Sequence, residues 1–374
     1  MRRRTLLAAP LVLGLPLVAS VPAAAAPGPR VRGVDISFAL QEEAIGTVYR
    51  DGGAPRPVEQ ILANRGANLA RLRVWIAPPA GYSDLASALT LARRCRAAGM
   101  RILLNLHYSD FWADPGKQPT PAAWTGQNLP TLAETVRRYT RDAVAAFARQ
   151  GTPVAMIQVG NEITSGMLFP LGQIYRPDGE HWPEFTTLLK AGITGAREGN
   201  PSGNRLEIMV HIDRGGDNGG ARYFYDHVLA EGVRFDTIGL SYYPFWHGSL
   251  ATLRANLADL SNRYRKDLVI VETSYPWTLN NGDTLGNFIT SPSQLPDGAA
   301  FPATRSGQAA YFEELRNILA AVPGGRGAGF VDWSPEWLPG VGWTPGEGNP
   351  NDNLTMFDWS GNALPCLRSF RAGS

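Results

Sequence analysis

Short apolar segments alternate with amphipathic ones along nearly the whole chain, and this alternation constrains the fold more than any other feature. The strand-like runs are Gly33–Phe38, Asn68–Trp75, Arg101–His107, Ala155–Asn161, Leu206–Ile212, Thr237–Tyr242, Leu268–Glu272 and Gly329–Trp333. Helical spacing is predicted over Ser83–Ala98, Leu129–Gln150, Trp182–Arg197, Ala221–Ala230, Leu250–Tyr264 and Ser306–Ala321. In the second of these, Leu132, Val136, Tyr139, Ala143 and Phe147 recur every three or four residues and form one apolar stripe. Strands that alternate with helices pair in parallel through right-handed crossovers. Eight such units predict an α/β fold, a single (β/α)₈ TIM barrel with long loops after strands seven and eight (Thr278–Ala303 and Pro335–Asn353). The alternative is a doubly wound open sheet. Such a sheet carries a glycine-rich phosphate turn after its first strand, and here that turn reads Ser37-Phe38-Ala39-Leu40.

The N-terminus is set apart from this pattern. Arg2-Arg3-Arg4 precedes an apolar stretch, Leu6 to Val18, which Pro10 and Pro16 interrupt, and Ala23 to Ala26 offer a small-residue cleavage site. Residues 1–26 therefore read as a secretory signal peptide, too short and too broken to stay in a bilayer. The arginines before Thr5-Leu6-Leu7 fit either the general or the twin-arginine export route. No linker-like tract divides residues 27–374, which are expected to form one exported, soluble, monomeric domain. A net charge of +2 with no basic run argues against nucleic-acid or membrane-surface partners. Two cysteines, Cys95 and Cys366, exclude a disulfide framework and a cysteine-rich zinc site. Ten tryptophans point to a large core or to a cleft that stacks sugars.

In a parallel barrel the chemistry sits at the C-terminal ends of the strands. Two glutamates stand there directly after apolar runs: Glu162 at the end of strand four and Glu272 at the end of strand seven. A lone glutamate in such a place can be a helix cap or an arginine partner. Two of them, with Asn161 beside Glu162, suit glycoside hydrolysis, in which one carboxyl protonates the leaving oxygen and the other attacks the anomeric carbon. A separation of about 5–5.5 Å, the retaining geometry, is expected. Arg73, ending strand two, is expected to orient the nucleophilic carboxylate. Asn105, His107 and Tyr108 end strand three, His211 and Asp213 strand five, Tyr242 and Tyr243 strand six, and Trp333 strand eight. The five histidines show no zinc-protease spacing, and no Gly-x-Ser-x-Gly elbow is present.

Longer stretches carry a family likeness. They are Leu72 to Trp75, His107 to Gln118, Gln158 to Ile163, Ile238 to Gly248 and Val271 to Trp277. From about Gly33 to the C-terminus the chain resembles glycoside hydrolase family 53, the arabinogalactan endo-β-1,4-galactanases of clan A. The resemblance implies that Glu162 is the acid/base and Glu272 the nucleophile on β-1,4-galactan of pectin side chains. It further implies that Arg73, His107, Asn161, His211, Tyr243 and Trp333 line the subsite at the scissile bond, with Trp337 and Asp213 holding flanking units. Asn105 stands where the family often has Asp, which removes a negative charge beside the cleft. No cofactor is implied for the chemistry. A structural calcium is implied in the loop after strand seven, with Asn281, Asp283, Asn287 and Asp352 as oxygen ligands and Leu285 at the usual histidine position. A β-mannanase, xylanase or glucanase of the same clan, or a galactan-binding protein without activity, are the other readings.

Overall fold

The computed structural model describes residues 28–79 and 82–373, so the expected leader lies outside the described residues. Eight parallel strands close into a barrel: β1 (Val31–Asp35), β2 (Leu69–Val74), β3 (Arg101–Leu106), β4 (Val154–Val159), β5 (Glu207–Ile212), β6 (Thr237–Ser241), β7 (Asp267–Thr273) and β8 (Gly327–Trp333). Each pairs with its sequence neighbour, and β1 closes the ring on β8 with Asp35 level with Trp333. The outer ring holds α1 (Val58–Asn64), α2 (Leu85–Ala97), α3 (Leu129–Arg149), α4 (Trp182–Gly199), α5 (Asn218–Ala230), α6 (Leu250–Tyr264) and α7 (Arg305–Ala320). A short 3₁₀ segment, Pro365–Phe370, follows β8 and stacks Phe370 on Phe330 at 5.6 Å.

Five of the strands stop one to three residues before the apolar runs do. After Asp35, both the amide and the hydroxyl of Ser37 turn back onto the Asp35 carboxylate, which takes the chain out of the sheet. Helix α5 starts three residues earlier than the apolar spacing suggested, because Asp217 caps it through the Gly220 amide at 2.9 Å. The residues Gly219 and Gly220 weaken the helical signal in sequence. Helix α1 went unpredicted: seven residues give too little periodicity.

Side chains alternate across a strand, and that alternation builds the barrel interior in two storeys. The lower storey is an apolar plug of Val31, Leu69, Leu103, Met156, Met209, Val269, Val271, Ala328 and Val331. Two glycines make room for it: a Cβ on Gly33 would lie 2.6 Å from Val331 Cγ2, and one on Gly239 2.6 Å from Met209 Sδ. On four of the strands the same face turns polar two residues further along. Leu69 gives way to Arg71, Leu103 to Asn105, Met156 to Gln158 and Met209 to His211, all buried. The sequence thus seats a polar cup on an apolar plug. A register shift between Leu240 and Ser241 lifts Ser241 level with Glu272.

The loops after β7 and β8 interlock above the cup. Phe288 N–H donates to Pro350 O at 2.9 Å, and Asn353 Nδ2 donates to Thr278 O and Ile289 O. The β8 loop is also tied to the segment after β1, where Glu42 Oε1 accepts from Leu338 N at 2.8 Å and Oε2 from Thr47 Oγ1 at 2.7 Å. Burial pushes the Glu42 carboxyl up from 4.5 to about 8, against the pull of those two bonds. Its folded value lies above its unfolded one, so rising pH ionises the unfolded chain first and stability falls between roughly pH 5 and pH 8. Glu42→Gln should therefore raise Tm relative to wild type near pH 8, and the difference should vanish near pH 4. Thermal unfolding at the two pH values checks this, and a pH-independent difference would contradict it.

Candidate active site

The C-terminal mouth of the barrel opens into a cavity of about 520 Å³, and Glu162 and Glu272 both line it. That volume is in the range of a small-ligand site. Glu272 ends β7 and is buried. Its Oε1 accepts from Arg71 Nη2 at 2.6 Å, and its Oε2 from the Tyr243 hydroxyl at 3.1 Å. Glu162 sits three residues beyond β4 with φ of 47°, a left-handed conformation that costs a non-glycine residue about 1–2 kcal/mol. Gly160, two residues before it, has φ of 90°. Together they swing the glutamate over the cup, where its Oε1 accepts from Ser241 Oγ at 2.6 Å.

Arg71 is the centre of the cup. Its Nη1 reaches Asp35 Oδ2 at 2.6 Å, its Nε reaches Gln158 Oε1 at 2.6 Å, and its Nη2 also reaches Asn161 Oδ1 at 2.9 Å. Asn161 is held further by Asn105 Nδ2 at 3.1 Å and donates to Ala113 O at 2.9 Å. Burial drives both glutamate carboxyls up. The rise is much larger at Glu162, where the nearby charges of Glu272 and Asp213 add to burial. At Glu272 the Arg71 guanidinium opposes it directly. One proton shared by the pair therefore resides on Glu162, and Glu272 is the first to ionise.

The predicted site residues divide between the cavity and its supports. His107, Asn161, Asp213, Tyr243 and Trp333 line the cavity with the two glutamates. Asn105 and His211 lie beneath it, bonded to Asn161 and to Gln158. His107 is neutral, its pKa lowered by burial and by Arg73. Its Nδ1 accepts from Trp75 Nε1 and from Ala113 N, which leaves its proton on Nε2.

Three expectations need correction. The guanidinium on the Glu272 carboxylate belongs to Arg71, not Arg73. Arg73 is buried with no hydrogen-bond partner on its guanidinium, which lies 4.7, 4.8 and 4.3 Å from the rings of Phe38, Trp75 and Trp112. Burial and Arg71 lower its pKa to about 10. Tyr108 is not at the cavity. With φ of 54° it turns away from the barrel axis, packs against Trp124 and Tyr139, and bonds Thr140 at 2.7 Å. Trp337 is also behind the wall, stacked on Phe38 at 4.2 Å with its N–H on Val341 O.

The cavity wall includes aromatic residues that sequence reasoning had not assigned. Trp112 and Trp343 stack at 4.5 Å and 9°, and Trp112 Nε1 donates to Trp343 O at 3.2 Å. Phe245 and Trp246 also line it, the latter 56% exposed and against Phe288. Trp112 and Trp246 fall inside the motif stretches, and the tryptophan surplus was their signal.

The polar atoms of the expected calcium loop are engaged elsewhere. Asp283 accepts from Leu285 N at 2.8 Å and Asn349 N at 2.6 Å, and Asp352 accepts from Gly282 N and Asn287 Nδ2, both at 2.8 Å. Asn281 Oδ1 accepts from Asp283 N, which leaves Asn287 Oδ1, buried and unpartnered, as the free oxygen of this set. Calcium takes six to eight oxygens. No group of three or more His, Cys, Asp or Glu among the described residues is placed to hold a metal. Leu285 carries no ligand atom, and the loop is closed here by its own hydrogen bonds. Both cysteines are buried and unpaired.

Comparison with known proteins bears on this site. The model of glycosyl hydrolase family 53 matches residues 31–370. The chain is 41% identical over 348 residues to an uncharacterised Niallia circulans protein encoded in the 5′ region of bgaB, covering 92% of this chain and 94% of that one. It is 36% identical over 335 residues to the arabinogalactan endo-β-1,4-galactanase A of Emericella nidulans, covering 88% and 90%. The family 53 catalytic domain of Ignisphaera aggregans superposes with a TM-score of 0.86 at 34% identity, covering 95% of this chain and 99% of that domain. The loop chemistry gives a direct test: adding calcium or a chelator should leave Tm unchanged. A calcium-dependent rise in thermal unfolding would contradict the hydrogen-bonded closure.

Proposed function

The chain belongs to glycosyl hydrolase family 53, and from that membership we propose that it is a secreted, monomeric, retaining endo-β-1,4-galactanase. The observation that carries the reading is the unequal pair of glutamates in one cavity: Glu162, its carboxyl pushed well up by burial beside Ser241, and Glu272, where Arg71 opposes the rise. Glu162 gives its proton to the glycosidic oxygen while Glu272 attacks the anomeric carbon. The C–O bond to the leaving sugar breaks, an ester to Glu272 forms, and an oxocarbenium-like charge develops between them. Burial raises the Glu162 pKa most and the Glu272 charge raises it further, so esterification removes the second of these and lowers it. Glu162, left ionised when it gave up its proton, then takes one from the water that cleaves the ester, regenerating both groups with the anomeric configuration retained.

Supporting groups have matching tasks. Tyr243 donates to Glu272 Oε2 and steadies the carboxylate until it attacks. His107, Asn161, Trp333 and Asp213 line the cavity with the glutamates; the first three would flank the bond to be cleaved and Asp213 the neighbouring unit. The exposed ring of Trp246 offers a flat apolar face to a sugar ring, and Trp112 and Trp343 add apolar wall beside it; sugar rings carry no charge for the cavity to match. Galactan is the favoured polymer because the Emericella nidulans relative acts, by its name, as an arabinogalactan endo-β-1,4-galactanase. Residues 1–26 would be the export leader; no helix among the described residues is long and apolar enough to cross a membrane.

Linear β-1,4-galactan treated with the purified protein should lose viscosity and yield short oligosaccharides, while mannan, xylan and β-glucan should resist. Cleavage of one of those polymers in its place would reassign the substrate, and tight binding without products would make the protein a binder. Glu162→Gln should lower kcat by about 10²–10⁴-fold, the usual share of general acid catalysis. Glu272→Gln should remove turnover. A normal rate in either variant would take that residue out of its role.

A further inference from the structure

Hydrogen-bond polarity can be read across the cup because one end is fixed by chemistry. An arginine has donors only. The Gln158 atom 2.6 Å from Arg71 Nε must therefore be its carbonyl oxygen, and its amide nitrogen must face His211 Nδ1, 2.7 Å away. An amide nitrogen only donates, so His211 Nδ1 is a lone pair. The backbone N–H of Glu162 points at the same Nδ1 at 3.3 Å, a second donor on that nitrogen. Burial and the Arg71 charge keep His211 neutral, and its proton must sit on Nε2. That N–H meets Ser241 Oγ at 2.8 Å, so Ser241 accepts there and spends its own proton on Glu162 Oε1 at 2.6 Å.

We propose that Gln158, His211 and Ser241 are positioning residues that form a one-way hydrogen-bond relay from Arg71 to Glu162, confining the acid's proton to Oε2. Oε1 accepts whether Glu162 is neutral or ionised, so a proton can leave and return on the other oxygen alone. The guanidinium that keeps Glu272 anionic thus also selects the working oxygen of Glu162, through four hydrogen bonds. His211, expected to touch sugar, acts here from beneath the cavity. The other groups that face Glu162 are Glu272 from β7, Asp213 beyond β5, Tyr243 beyond β6 and Arg71 from β2. None of them donates a hydrogen bond to Oε1 in this structure. The inference rests on the reading of Glu162 as the acid.

Two measurements test it. In nitrogen NMR of histidine-labelled protein, the His211 signal, identified by its loss in His211→Asn, should report the Nε2–H tautomer. It should stay so through about pH 6.5, where a free imidazole changes charge. An Nδ1–H tautomer, or an imidazolium at that pH, would overturn the relay. In pH profiles of kcat/KM, Ser241→Ala removes a donor to the ionised form of Glu162, so the alkaline limb should move to higher pH with the acid limb in place. Ser241→Thr keeps the hydroxyl and should return the limb towards wild type. An unmoved alkaline limb in folded Ser241→Ala would also overturn the relay. A protein inactive on galactan whose His211 still shows the Nε2–H tautomer would count against the proposed substrate and leave the relay standing.

Discussion

The guanidinium of Arg71 is the interaction on which the rest of the mouth depends. Its side chain is 1% exposed, and it bonds two carboxylates and two amides at once. A buried charge is costly unless geometry and additional hydrogen bonds compensate it, and removing one partner from such a pair costs about 3–5 kcal/mol. Here Asp35 balances the positive charge permanently from the strand beside it, level in register. Glu272 can therefore lose its charge to an ester without leaving Arg71 uncompensated. One structural pair thus frees the second for chemistry.

Above this cup the walls are aromatic, and they are held from behind. Arg73 lies among Phe38, Trp75 and Trp112, while Trp112 stacks on Trp343 from the loop after β8. A cation facing ring systems can be worth about 2 kcal/mol where water is excluded. The wall is in this way tied to the barrel through β2 and to the loops after β7 and β8, which close on each other through hydrogen bonds from their own amides. Rigid walls suit a site whose function is to place one bond between two carboxyls.

Much of this was legible in the residues, and the limits of legibility are physical. All eight strands could be placed because strands buried on both faces read as apolar runs. The two glutamates could be placed because charge directly after such a run is conspicuous. Arg71 and Arg73 could not be ranked, since residues two apart share a face; only depth in the barrel and register with Asp35 separate them. Tyr108 follows its strand by two residues, and a left-handed turn that side-chain type does not announce carries it out of the cavity. Trp337 and Trp343 sit six residues apart in one loop, and nothing in their spacing tells that the first supports the wall and the second lines it. In the loop after β7 the oxygen-bearing residues that suggested a cation spend themselves on backbone amides, a pairing that composition does not reveal.

Trapping the reaction halfway tests the central claim, that Arg71 holds Glu272 ionised so that it is the group that attacks. A galactoside fluorinated at the ring carbon next to the anomeric centre, with a good leaving group, should react with the intact enzyme and stall. Mass spectrometry of the digested protein should then find a single sugar adduct, on the peptide containing Glu272. An adduct on Glu162, or none from an enzyme that turns over galactan, would contradict the account.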